Sequence, residues 1–180
     1  EADPKIFAYL ESNITERKYD RVELINKAVW QENTILNFTS EGADSGQVGG
    51  NAHHQDTVEI EAIDIADLLS AQQFDFIKMD IEGAEDLVLP RCRGLLDSVK
   101  HFFIEYHSKA GQRQNLDRIL NLLSEEGFRF YMENLFDKPT PFLGLDTYAG
   151  FDFQVNIYAW REPQTAMPIE LKVENYVAAR

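Results

Sequence analysis

The sequence predicts an α/β domain built on a doubly wound, mostly parallel sheet. Three observations predict it. Segments with the two-residue period of strands alternate along the chain with segments carrying the helical period, the order from which parallel sheets with helical crossovers are made. The stretch 74–79 is apolar except at Asp75 and Lys78, as a central strand covered on both faces would be. The 180 residues are enough for one well-buried domain and too few for two comfortable ones.

The elements follow in order. Residues 4–11 open with Pro4, suited to a first helical turn, and place Ile6, Phe7 and Leu10 on one face of a helix. Residues 22–29 and 34–38 are expected strands. Residues 41–55 hold four glycines with Ser45, Asn51 and the pair His53-His54, and are expected to form a loop. Residues 57–63 alternate polar and apolar, the mark of a half-buried strand, and 64–69 open a short helix. Beyond the strand at 74–79, a helix is expected over 83–96, with Pro90 kinking it or stopping it early. A buried strand at 99–106 and an amphipathic helix at 115–126 come next, the helix ended by Gly127. Residues 128–132 and 152–160 supply the last two strands. The domain therefore covers 1–162, with 163–180 as a C-terminal tail that packs on a neighbour, so that a homodimer is one expectation.

Charge narrows the partners. Seventeen Lys and Arg against 31 Asp and Glu give a net charge of −14, with no basic stripe anywhere. Binding to a polyphosphate backbone depends on such a stripe, so nucleic acid is not an expected partner, nor is an anionic membrane surface. No apolar run approaches the roughly 18 residues of a membrane span, and Glu1-Ala2-Asp3-Pro4 does not read as a secretory leader. The single cysteine, Cys92, can form neither an internal disulfide nor a cysteine-based zinc cluster, which suits a cytoplasmic home.

In open α/β sheets, ligands bind beyond the carboxyl ends of the strands. Residues placed there are Asp80-Ile81-Glu82-Gly83 and Glu105-Tyr106-His107, with Glu1-Ala2-Asp3-Pro4 at the chain's beginning. Each has a plainer reading beside the functional one. Asp80 can cap the following helix, and Glu85 reads as an acidic residue suited to a first helical turn. Lys78, inside an expected buried strand, needs a carboxylate partner or a cleft. Glu105 and His107 lie two apart and so share a face, which an exposed pair at the sheet's end would also do. His53-His54 reads as a solvated pair, and no metal ligand set is assigned. Trp30 and Trp160 read as packing residues. Cys92, beside Arg91 and Arg93, is a candidate for a thiol of lowered pKa.

The run Phe76-Ile77-Lys78-Met79-Asp80-Ile81-Glu82-Gly83-Ala84-Glu85, then Val88-Leu89 and Phe103-Ile104-Glu105-Tyr106-His107, closely resembles the FkbM-type family of S-adenosylmethionine-dependent methyltransferases. Glu1-Ala2-Asp3-Pro4 with Phe7 and Leu10 looks like the family's second strand end and following helix, and Asn26-Lys27-Ala28-Val29 like the close of its third strand. The resemblance covers roughly residues 1–130 and is most specific over 76–107. It implies a class I methyltransferase-like fold. That family has a first strand ending in an Asp-x-Gly-x-x-x-Gly turn, whose glycines let backbone approach the cofactor. The segment Gly46-Gln47-Val48-Gly49-Gly50 does not match it, so the first strand and helix are expected to be missing from this chain.

The resemblance implies chemistry as well. Glu1 and Asp3 would bind cofactor, Glu1 by offering paired oxygens to the ribose diol. Ala28 with Val29 would border the adenine, and Asp80 would face the sulfonium or the amino group. His107 is the preferred general base, with Glu105 orienting it or binding the acceptor and Glu82 as a further catalytic carboxylate. The expected acceptor is a hydroxyl on a small molecule, sugar or glycan, and the aromatic, proline-rich stretch 136–144 is a candidate lid. Two alternatives stand beside this reading. One is a metal-assisted O-methyltransferase in which Asp80, Glu82, Glu105 and His107 hold Mg²⁺ or a similar ion. The other is a non-catalytic binding or assembly module that kept the fold.

Overall fold

The computed structural model describes residues 1–39, 47–48, 57–135, 138–143 and 147–162. The expected loop over 41–55, apart from 47 and 48, and the expected tail 163–180 lie outside the described residues.

Helix α1 (Pro4–Glu16) starts where Asp3 accepts hydrogen bonds from the backbone N–H groups of Lys5 and Ile6, at 2.8 and 3.4 Å. That cap satisfies donors the first turn cannot pair internally. Strands β1 (Ala28–Trp30), β2 (Thr34–Thr39), β3 (Gln47–Val48) and β4 (Thr57–Asp64) form one sheet in the order β1-β4-β2-β3. The strand expected over 22–29 shrinks to the three residues of β1. The stretch before it is tied to the N-terminus instead: Asn26 Nδ2 donates to the carbonyls of Glu1 and Ala2, and the Glu1 amino group to that of Ile25. Helix α2 (Ile65–Ala71) follows β4 directly, capped by Asp64 on the N–H of Ala66 at 2.9 Å.

A second sheet, in the order β5-β6-β8-β7, holds β5 (Phe76–Met79), β6 (His101–Lys109), β7 (Arg129–Asn134) and β8 (Phe151–Trp160). Helix α3 (Glu85–Val88) joins β5 to β6, and helix α4 (Leu116–Glu125) joins β6 to β7. β5 and β6 are parallel, while β8 runs antiparallel to both β6 and β7. Three strands of this sheet therefore point one way, with β8 inserted between two of them in the opposite sense.

Three expectations need correction. The strands make two small mixed sheets rather than one doubly wound, mostly parallel sheet: β1–β4 and β5–β6 are the parallel pairs, and the other described pairs are antiparallel. Side-chain periodicity reports which face a residue occupies, not which strand lies alongside, so β8 could not be oriented from it. β5 is an edge strand of the described sheet, with Phe76 58% exposed, not a strand covered on both faces. The helix expected over 83–96 is cut to the single turn of α3 and a 3-10 turn, Leu89–Cys92. Pro90, which has no N–H, stands at the start of that tighter turn and ends the α-helical ladder.

The main core joins α3, α4 and the inner face of the second sheet through Val88, Leu96, Phe102, Ile104, Leu123 and Ile157, all essentially inaccessible. Each such side chain contributes roughly 1.5–3 kcal/mol on burial. A smaller cluster of Ala28, Phe38, Ile60 and Ala62 holds the first sheet. Among the described residues no helix is long and apolar enough to cross a membrane.

Candidate active site

The chain leaves β5 at Met79 and turns sharply. Glu82 and Gly83 adopt left-handed backbone conformations, φ +55° and +89°. At Gly83 a Cβ would be strained by this backbone conformation and would stand 2.9 Å from Lys109 Cε and 3.0 Å from Phe151 Cε1, so that the side chains of Lys109 and Phe151 would have to shift. Glu82 and Gly83 fold the backbone around the carboxylate of Glu85, which is fully buried. Its Oε1 accepts from the N–H groups of Ile81 and Gly83, at 3.1 and 3.2 Å. Its Oε2 accepts from the N–H of His107 at 3.4 Å, across on β6. Buried polar groups are costly unless satisfied, and this carboxylate is satisfied from three backbone donors.

Glu85 also holds the imidazole. His107 Nδ1 lies 3.2 Å from Glu85 Oε1, and the ring packs 4.9 Å from that of Phe151. With Nδ1 so engaged, Nε2 is aimed at two further carboxylates, Glu105 Oε1 at 3.5 Å and Glu82 Oε2 at 3.7 Å. The His107 side chain is 1% exposed. Burial alone would pull its pKa down, but Glu85, Glu82 and Glu105 more than offset this and hold it above the usual histidine range. Burial, and then repulsion from Asp80, pushes Glu105 up. Glu82 is pushed up to about 7, first by burial; His107 works against that shift, and Asp80, Glu85 and Glu105 add to it.

In front of these groups lies a cavity of about 760 Å³. Glu1, Asp3, Ala28, Asp80 and Glu82, separated widely in sequence, all line it, together with the apolar side chains of Val29, Trp30 and Phe38. Glu105 and His107 are not part of that lining, but a ligand atom of each lies within 4.8 Å of one on Asp80 and of each other. Asp3 is buried, and its Oδ1 serves the first turn of α1. Glu1 Oε1 accepts from the N–H of Asp3 at 2.8 Å. Lys78 lies on the exposed face of β5 and pairs with Asp80 Oδ2 at 2.8 Å.

Several plainer readings are settled by this geometry. Asp80 does not cap a helix: α3 begins five residues later, and Ala84, at its N-cap, makes no side-chain hydrogen bond. Glu85 does stand in the first turn of α3, as expected, but it is fully buried there, at the centre of the turn after β5. Its position was legible in one respect. Glu85, Val88, Leu89 and Cys92 fall at helical spacing and are all buried, so the acidic residue sits on the apolar stripe. Cys92 is no reactive thiol, since burial pushes its pKa up to about 12. Trp30 lines the cavity, whereas Trp160 ends β8 half-buried. Of the candidate lid, residues 136, 137 and 144 lie outside the described residues; Phe142 and Leu143 are exposed and not among the cavity-lining residues. His53-His54 lies outside the described residues as well.

A family model, the methyltransferase FkbM domain, matches residues 1–130. No curated protein and no solved structure gives a significant match.

Proposed function

The chain belongs to the FkbM methyltransferase family, and on that premise we propose that it transfers a methyl group from S-adenosylmethionine to a hydroxyl of a small molecule, sugar or glycan. The observation that carries this reading is the single cavity onto which Glu1, Asp80 and Glu82 converge with Ala28 and Trp30. At about 760 Å³ it has the size of small-molecule sites, and its lining is mixed in the way such a cofactor needs. Glu1 offers carboxylate oxygens to a vicinal diol, Ala28, Val29 and Trp30 offer an apolar wall to an aromatic base, and Asp80 offers negative charge to a cation. Asp3 contributes through α1, which its cap fixes beside Glu1. When bound, the cofactor supplies an activated methyl group on a sulfonium.

The protein's own work is to orient the acceptor and to take its proton. Glu82 is the carboxylate placed for that proton, because it lines the cavity. His107, enclosed behind Glu82 and Glu105, acts on the acceptor through them rather than by direct contact. Calorimetry with S-adenosylmethionine tests the reading. Binding is expected, and Glu82→Gln should lower turnover roughly 100-fold while cofactor affinity stays within a few-fold. Absence of cofactor binding would favour a non-catalytic module with the same fold.

A further inference from the structure

From the convergence of Asp80, just past β5, with Glu105 and His107 of β6, we infer a binding site for a divalent first-row cation beside the cavity, reached from it through Asp80. One oxygen of each carboxylate and one imidazole nitrogen lie within 4.8 Å of one another. Atoms on opposite sides of an ion, at bonds of about 2.0–2.6 Å, stand about 4–5 Å apart, so small side-chain movements close this set on a metal.

The histidine carries the inference beyond a group of acidic residues. His107 is more than nine-tenths buried, and its ring is fixed by Glu85 at Nδ1. That is how metal-bound imidazoles are held: a carboxylate on one nitrogen sets the tautomer and turns the other toward the ion. Here the other nitrogen faces Glu105 Oε1 and Glu82 Oε2 at 3.5 and 3.7 Å, both beyond an ordinary hydrogen bond. An entering ion displaces the Nε2 proton and takes its place among the carboxylates of Glu105 and Glu82. A sulfonium would be served by the carboxylates alone; the oriented imidazole is what a transition ion adds. Lys78 holds one oxygen of Asp80 and leaves the other to the site. The ion's role, to lower the pKa of an acceptor hydroxyl whose proton Glu82 takes, rests on the methyltransferase reading.

The test is titration of the chelator-treated protein with Mn²⁺, with free Mn²⁺ followed by electron paramagnetic resonance. One ion per chain is expected, bound at least tenfold more weakly by Asp80→Asn and by Glu105→Gln and as tightly as before by Glu125→Gln, a carboxylate on α4 paired with Arg93. Asp80 and Glu105 are partly exposed, and unchanged circular dichroism would show that their variants fold. The site is overturned if the protein takes up no Mn²⁺, if Asp80→Asn and Glu105→Gln bind like wild type, or if Glu125→Gln weakens binding equally. Affinity for S-adenosylmethionine, measured without Mn²⁺ on the same samples, separates the two readings. Cofactor binding without an Mn²⁺ site overturns the ion alone, and Mn²⁺ binding without cofactor binding supports the ion and overturns the methyltransferase.

Discussion

At the scale of single residues, the turn after β5 is organised by Glu85 rather than by the residues facing the cavity. Its carboxylate is the common acceptor for two N–H groups of the turn and one of β6, so its removal should be felt as stability. Glu85→Ala strands those donors and the imidazole in the interior and should cost about 3–5 kcal/mol in denaturant unfolding, as when one partner of a buried charged pair is deleted. Glu85→Gln keeps the shape and one acceptor and should cost less, about 1–3 kcal/mol. Equal and small losses in both would show that the turn does not depend on this side chain. Asp80 makes the opposite expectation. It caps nothing and is partly exposed, so Asp80→Asn should leave the unfolding midpoint nearly unchanged. If it faces the cofactor's positive end, the same variant weakens cofactor binding at least tenfold, about 1.4 kcal/mol, by calorimetry. Lost stability with normal binding would return Asp80 to a structural role.

At the scale of elements, most helices and strands were legible because their periods are local. The alternation over β4 and the amphipathic α4 follow from residues close in sequence, whereas the cap made by Asp3, a residue expected to bind cofactor, emerged only in the structure. What escaped depended on distant partners. The insertion of β8 against both β6 and β7, and the loss of residues 22–27 from β1, are decided by pairings that no local pattern encodes. The candidate site divides the same way. The fixed spacing from Asp80 to Glu85 marked the turn, but the enclosure of His107 behind Glu82 and Glu105 depends on where β6 and β8 lie.

Asp64 illustrates how an element junction can be tested. It caps α2 and takes both an Nε and an Nη hydrogen bond from Arg91, and the Arg91 guanidinium holds its carboxyl below the ordinary 3.8. A carboxyl with a lowered folded-state pKa stabilises the protein fully above its unfolded pKa, and that contribution is lost as pH falls toward the folded value. Asp64→Asn keeps a capping side chain and removes the charge, so the stability gap between it and wild type should be widest near neutrality. The gap should narrow below about pH 4. Asp64→Ala loses the cap too and should cost roughly 1 kcal/mol more than Asp64→Asn at any pH. A gap between wild type and the Asn variant that does not change with pH would rule out the ion pair as its source.

At the scale of the whole molecule, the cavity is the place where the two sheets meet. Ala28, Val29, Trp30 and Phe38 come from the first sheet, Glu1 and Asp3 from the start of α1, and Asp80 and Glu82 from the end of β5. Among the described residues, Trp30 packs against both hydrophobic clusters. A ligand filling about 760 Å³ at that junction would touch both halves at once, so its binding energy should resist the unfolding of the whole. A ligand that binds only the folded state at about 100 times its dissociation constant stabilises by about 2.7 kcal/mol, which for a chain of this size raises Tm by roughly 5–10 °C. S-adenosylmethionine should produce that rise in a thermal scan and should also change the fluorescence of Trp30. Trp30→Phe should abolish most of the fluorescence response, because Trp160 stands at the end of β8 and is not part of the cavity lining. A rise in Tm with the fluorescence change intact in Trp30→Phe would mean that the cofactor binds elsewhere. Neither a rise nor a fluorescence change would mean that the cavity does not hold it.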